Sequence, residues 1–380
     1  MSEKVLRPEA LRPEVRVVVG TRPGIVMFAP IIACLRKKAG AHFMIHTGQH
    51  YSPNMDAQFF SDLELPAPDY RLEGVSEKPT HGGQTAAMLE GVERILLERK
   101  PRLVLVGGDA NTNLAGALAA RKLGIRVGHV EAGERSYDWS MPEEHNRRII
   151  DHISEYLFTS SPKAGQQLER ESVRGKIIET GNPIVDASQA HLDLALRRFG
   201  QPDRRDRDTG HPYAILTTHR EENVDDPGRL RGIFTGVARV AEVLDLTVLC
   251  LAHPRTLKRL REFGLEEWAH TLDRVEIRPG SGYLEFLALL SRAALILTDS
   301  GGVQQEACIH RVPCVTLREN TEWVETIEIG ANRLVGTDPD QILAGASEAL
   351  HARVDWKVPF GDGHAAERIV DCALGVIGES

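Results

Sequence analysis

Ser300-Gly301-Gly302 comes directly after the apolar run 293–297 (AALIL) and the pair Thr298-Asp299, and it opens a helical stretch carrying Glu306. A helix that begins on serine and two glycines offers its first amides to a ligand with little side-chain obstruction, and Ser300 is the expected cap. Those amides and the positive end of the helix dipole suit an anion such as a diphosphate. Glu306 lies six residues on, roughly 9 Å along a helix axis. That matches the reach from a diphosphate to the ribose diol of the same nucleotide, which a carboxylate can accept in two hydrogen bonds. The plainer alternative is an ordinary helix start followed by a surface glutamate.

Three acids close other apolar runs. Asp109 ends LVLVGGD, Glu131 falls in VGHVEAG, and Glu143 stands just before the helical stretch 144–154. Carboxyl groups at strand ends along one sheet edge can converge, and repulsion and burial then raise the pKa of at least one. A carboxyl tuned upward moves protons near neutral pH. The alternative is that each acid caps a helix or pairs with Arg135, Arg147 or Arg148. His219, in TTHREEN, could be a structural histidine or a proton donor. Arg22 is the cation of the first loop, and Arg147 is a second candidate for a phosphate.

The elements that must position these groups alternate along the chain. Short β-branched runs are expected as strands at 15–19, 42–46, 103–107, 127–130, 156–159 and 176–179. A second series is expected at 213–217, 247–251, 275–277, 295–297, 314–317 and 334–335. Helical stretches follow many of them, which implies parallel sheets covered on both faces. The charged segment 191–211 breaks the rhythm and is expected to be a surface link. Both halves begin as strand, polar loop and helix. Each such loop belongs at the carboxyl edge of a sheet, where open α/β sheets bind ligands, so a cleft between two domains is the expected site.

The 380 residues suit two domains, and 42% apolar with 26% charged residues fits a soluble globular protein. A net charge of −8 without long basic blocks argues against nucleic acid as the main partner. No apolar stretch is long enough to span a membrane, and the first residues read as an extension without a signal peptide. Five scattered cysteines, with no Cys-x-x-Cys, point to a reducing cytoplasmic setting and to no metal site.

Several stretches recur in one order: GTRP (20–23), TGQHY (47–51), GHVEAGERS (128–136), PEEHNRR (142–148), TGNPIVD (180–186), THREEN (218–223), TDSGGVQQEA (298–307), TEWVET (321–326) and PFGDGHAAERI (359–369). Together they resemble the non-hydrolysing UDP-N-acetylglucosamine 2-epimerase family, from about residue 15 to the C-terminus. The resemblance implies a GT-B architecture, two Rossmann-like doubly wound domains facing a central cleft. It implies domains at 1–185 and 186–364, with a last helix, 365–380, returning to the first. It further implies that Ser300, Gly301 and Gly302 hold the diphosphate and Glu306 the ribose, and that Asp109, Glu131, Glu143 and His219 are catalytic. Arg22 and Arg147 would face the phosphates. Gln49, His50 and His253 match positions tied to substrate or to a second, activating nucleotide-sugar site.

The reaction so implied removes UDP across C1–C2 to give a glycal and adds it back on the other face, in a homodimer without metal or nicotinamide. The absence of a Gly-x-Gly-x-x-Gly after a strand agrees with the latter. The sequence departs from the family loop G-T-R-P-E-x-I-K, having Gly24 and Met27 at the acid and the lysine. Ala110 and Asn111 replace usual threonines, and Trp323-Val324 replaces Arg-Pro, where the indole could reshape a pocket. These changes leave four alternatives open: a modified UDP-sugar such as a 2,3-diacetamido-uronate, a UDP-releasing hydrolytic variant, a glycosyltransferase, or a binding protein without turnover.

Overall fold

The computed structural model describes residues 15–38, 42–49, 59–203 and 210–378. The expectations for the N-terminal extension, for His50 and Tyr51, and for residues 204–209 of the link lie outside the described residues. Two compact units are present. One comprises Met1–Gly133, Asp138–Pro183 and His364–Ser380; the other comprises Glu134–Tyr137 and Ile184–Gly363.

The first unit is built on strands β1 (Val15–Val19), β2 (His42–His46), β3 (Tyr70–Arg71), β4 (Leu103–Gly107), β5 (Arg126–Ala132), β6 (Tyr156–Thr159) and β7 (Lys176–Glu179). Its helices include α1 (Arg22–Lys38), α2 (His81–Arg99), α3 (Asn111–Lys122), α4 (Pro142–Ile153) and α5 (Pro162–Arg170). All strands pair in parallel, in the order β3-β2-β1-β4-β5-β6-β7. The chain winds outward from β1 on one side, then returns to β4 on the other, so the switch point lies between β1 and β4. Strands β1 and β4 are buried throughout, as covered parallel strands must be. Helix α3 can lie close to the sheet because Gly116 meets Val18 and Val106 with no Cβ between them.

The second unit opens with α6 (Pro183–Phe199) and a sheet of β8 (Tyr213–Thr217), β9 (Thr247–Ala252), β10 (Val275–Pro279), β11 (Leu295–Thr298), β12 (Cys314–Thr316) and β13 (Asn332–Leu334). Helices that matter below are α7 (Glu221–Val224), α8 (Pro227–Val243), α9 (Pro254–Glu262), α10 (Glu266–His270), α11 (Tyr283–Leu290) and α12 (Gly301–Ile309). The order is β10-β9-β8-β11-β12-β13, again parallel, with the switch point between β8 and β11. Its main core gathers Phe234, Val237, Val248, Leu297 and Val315 between sheet and helices.

The α/β class expected from the alternating pattern is present in both units. Three local features were not anticipated. Helix α6 runs on to Phe199 and buries His191 and Ala195, so the first part of the expected link is helix; its charges sit on the outer face of an amphipathic turn pattern. Strand β3 is only two residues long and carries no apolar run to betray it. Strand β5 continues through Glu131 to Ala132 instead of ending before it.

Candidate active site

In the seven-stranded unit, Asp109 and Glu131 occupy adjacent strand ends, since Gly107 of β4 pairs with Val130 of β5. Glu131 sits where the β5–β6 register shifts, with φ +67. A left-handed backbone on a non-glycine residue costs about 1–2 kcal/mol, and such strain gathers at functional positions. Oε1 of Glu131 lies 3.8 Å from where a Cβ on Gly108 would project. The Asn182 amide donates to its Oε2 at 2.7 Å. Glu143 lies inside α4, directly after Pro142, rather than in the loop before it. It is half-buried, and Arg147 stands one turn on.

Arg147 donates to the Asp109 carboxylate at 2.6 Å and to Glu144 at 3.2 Å. Arg148 also donates to the buried Glu144, at 3.0 Å, and to Glu171 at 2.9 Å. Asp109 is thus paired with a guanidinium, and Glu131 receives an amide. That is the pairing alternative for Asp109, and it occupies the cation that the sequence offered to phosphate. Asn146 secures the Asp109 carbonyl at 2.8 Å and also reaches Asn111, which meets His81.

Gly108 is held from two sides. Its amide donates to Val130 at 3.0 Å, and its carbonyl accepts from His129 Nε2 at 3.0 Å. Nδ1 of His129 lies 2.7 Å from the Asp151 carboxylate, and both side chains are wholly buried. The turn that presents Asp109 is thus anchored through β5 to α4.

Gln49 does structural work. Its carbonyl accepts from the Thr112 amide at 2.8 Å and hydroxyl at 2.9 Å, capping α3 where Ala110 offers no side-chain cap. Gly20 is obligatory here, because a Cβ would fall 2.0 Å from the Thr47 hydroxyl and 2.2 Å from that of Thr112. Arg22 opens α1, exposed, with Phe59 5.9 Å below its guanidinium. Met27 is 7% exposed. Its methyl lies 3.7 Å from the projected Gly108 Cβ, the same point that Glu131 approaches.

In the six-stranded unit, His219 follows β8 and Asp299 follows β11, across the switch point. His219 is half-buried, with His253 at a ring distance of 5.5 Å. His253 is exposed and caps α9, its Nδ1 accepting from the Arg255 amide at 3.2 Å. Asp299 is fully buried and receives several donors from the turn after β8, among them the Thr218 hydroxyl at 2.7 Å.

Ser300 is the first residue of the α12 cap, but its side chain makes no cap hydrogen bond. Its own amide donates instead to the Thr298 hydroxyl at 3.0 Å. The two glycines differ. A Cβ on Gly301 would lie 2.2 Å from Glu322 Oε1 and 3.1 Å from the Trp323 indole nitrogen, whereas one on Gly302 meets nothing within 4 Å. Only Gly302 keeps the outer approach open. Trp323 is buried against Phe360, so it packs behind the helix start rather than stacking in a pocket.

Glu306 is buried on α12, not a surface residue, and burial pushes its carboxyl up to about 7, with the Tyr283 hydroxyl beside it pulling the other way. Sequence reasoning passed over Asn146, His129, Asp151, Asn182, Asp299 and Tyr283. Most lie within stretches already singled out, and the available signal was a polar residue inside a run that must be buried, as with His129 in VGHVEA.

A family model described as UDP-N-acetylglucosamine 2-epimerase matches residues 33–374. A UDP-N-acetylglucosamine 2-epimerase of Methanocaldococcus jannaschii is 48% identical over 360 residues, 93% of this chain and 97% of its own. The crystal structure of the M. jannaschii UDP-GlcNAc 2-epimerase in complex with UDP-GlcNAc and UDP aligns with a TM-score of 0.87 at 46% identity, over 95% of this chain and 99% of that one. A UDP-2,3-diacetamido-2,3-dideoxy-D-glucuronate 2-epimerase of Pseudomonas aeruginosa is 38% identical over 359 residues, 93% of this chain and 97% of its own. The matched family model and these near-full-length likenesses assign the chain: it belongs to the UDP-N-acetylglucosamine 2-epimerase family.

Proposed function

We propose that the chain interconverts UDP-N-acetylglucosamine and UDP-N-acetylmannosamine, eliminating UDP across C1–C2 to a 2-acetamidoglucal and adding it back to the other face. The observation that carries this reading is the 48% identity, over nearly the whole chain, to an enzyme of that name. The local chemistry supports it. The open start of α12 suits a diphosphate and Glu306 a ribose diol. Glu131 and Asp109, with Glu143 in the first turn of α4 as the next candidate, supply acid and base for the proton at C2. His219 donates to the departing phosphate, Arg22 adds charge, and Arg147 orients Asp109. The steps are proton transfers and C–O cleavage, so neither metal nor nicotinamide is required. His253, exposed beside His219, is the described residue best suited to a second, activating nucleotide-sugar, while Gln49 holds α3. A cytoplasmic homodimer completes the proposal.

A 2,3-diacetamido-uronate is the second reading, favoured by Met27 in place of the family's lysine. One experiment separates the readings: incubation of each UDP-sugar in deuterium oxide, followed by NMR of the anomeric region. The expected product is UDP-N-acetylmannosamine with deuterium at C2. Inverted product that retains protium there would overturn elimination. UDP with free sugar would mark the hydrolytic variant, and no conversion of UDP-N-acetylglucosamine would move the assignment to the modified sugar.

A further inference from the structure

Asp299 is 0% exposed and stands where β11 ends, opposite the end of β8, because Thr298 pairs with Thr217. Among the described residues, the hydrogen bonds to its carboxylate come from the segment Thr218–Asn223 that carries His219. The amide of His219 donates to both carboxylate oxygens, at 3.1 and 3.0 Å. The Arg220 amide donates at 3.0 Å and the Asn223 side chain at 3.1 Å. The His219 ring completes the set, with Nδ1 3.3 Å from Oδ1. An ionised carboxylate only accepts, so the proton of the ring belongs on Nδ1 and the other ring nitrogen is left to face outward. The imidazole is 40% exposed on that account.

We propose that Asp299 is the positioning residue for His219, fixing its Nδ1–H tautomer and ring direction so that Nε2 serves the leaving diphosphate. Burial opposes a charge on Asp299, yet the His219 hydrogen bond and charge, the Thr218 hydroxyl and the Arg220 amide outweigh it and hold the carboxyl at about 2. It therefore stays ionised as the ring changes state. For this step the ring starts protonated on both nitrogens; as the C1–O bond breaks, its electron pair goes to the phosphate oxygen, and the Nε2 proton follows to that oxygen. The ring becomes neutral and keeps Nδ1–H against Asp299; re-addition reverses each transfer. Since Ser300 is the next residue, one short segment sets both the donor and the start of the helix offered to the diphosphate.

The inference rests on the reading of His219 as proton donor, and the test distinguishes the two. Nitrogen-15 NMR of histidine-labelled wild-type protein should show His219 protonated on Nδ1; a free Nδ1 lone pair overturns the proposal without any variant. Asp299→Asn, which sets an N–H against Nδ1, should move the ring to the Nε2–H tautomer. It should lower kcat by roughly 10²–10⁴-fold while the Kd for UDP changes far less. In a His219→Gln background the same substitution should add little, because Asp299 acts through the ring. A further full loss in the double variant would overturn the positioning role. Unimpaired His219→Gln would instead remove His219 from the reaction, and wild-type protein that turns over no UDP-sugar would overturn the reading beneath both.

Discussion

Asn182 donates its side-chain amide to Glu131 at 2.7 Å, across 51 residues of sequence. The contact ties the TGNP turn after β7 to the bulged end of β5. An amide donor at that distance fixes the direction in which the carboxylate points.

Glu131→Gln and Asp109→Asn keep the shape of each side chain and remove its acid–base capacity. Each should cut kcat by roughly 10²–10⁴-fold and slow solvent deuterium entry at C2 equally. Their effect on the Kd for UDP, measured by calorimetry, should be far smaller. Asn182→Ala should show a milder loss of kcat than either.

Burial raises the Glu306 carboxyl from 4.5 to about 7, which gives two pH dependences of opposite sense. Below pH 4.5 the group is protonated folded or unfolded, and its contribution to stability is fully present. As pH rises through about 7 the folded protein must ionise a buried acid, and on the order of 3 kcal/mol is lost. A diol that donates to the carboxylate selects the ionised form, so nucleotide-sugar affinity should rise roughly tenfold between about pH 6 and 8. Calorimetry with UDP-N-acetylglucosamine on the slow Glu131→Gln protein checks this, and adding Glu306→Gln should flatten the slope.

Met27 lies buried with its methyl near the point that Glu131 approaches beside Gly108. Met27→Lys would bring an ammonium to that point. If the methionine sets substrate choice, relative kcat/KM among UDP-hexoses should change. Equal scaling of every substrate would assign the residue to packing alone.

Gly301→Ala should unfold more easily, by about 1–3 kcal/mol, since its methyl would strike Glu322, which Arg318 holds at 3.0 Å. Gly302→Ala meets nothing and should be neutral or gain up to about 1 kcal/mol from helix propensity. It should nevertheless weaken UDP binding. Thermal melts with and without UDP separate the two.

Most strands were readable because buried parallel strands need uninterrupted apolar runs, and these runs are what put Asp109, Glu131, His219 and Ser300 at carboxyl edges; the two-residue β3 and the strand order were not readable. Partners were not readable. Arg147 to Asp109, Asn182 to Glu131 and His129 to Asp151 depend on which strands become neighbours after each crossover, and periodicity says nothing about that. Nor does it reveal that Gly301 makes room for Glu322 from inside while Gly302 does not. The helix through His191 was missed because Asp193, Arg197 and Arg198 run on into the charged, proline-containing stretch after Gly200, which gave the whole segment the look of a link.

Helix α13 (Ala365–Gly378) belongs to the first unit, packing on α1, and Lys38 meets Asp371 at 2.7 Å across 333 residues. A ribosome adding about 5–20 residues per second would take roughly 20–70 s to make the intervening chain. For that time the sheet begun by Val15 waits without one of its covering helices, while the whole of the second unit has emerged and can fold. The first unit to be synthesised is therefore the last to be completed, and a stop codon shortly before Ala365 would damage the half of the protein it lies farthest from in sequence.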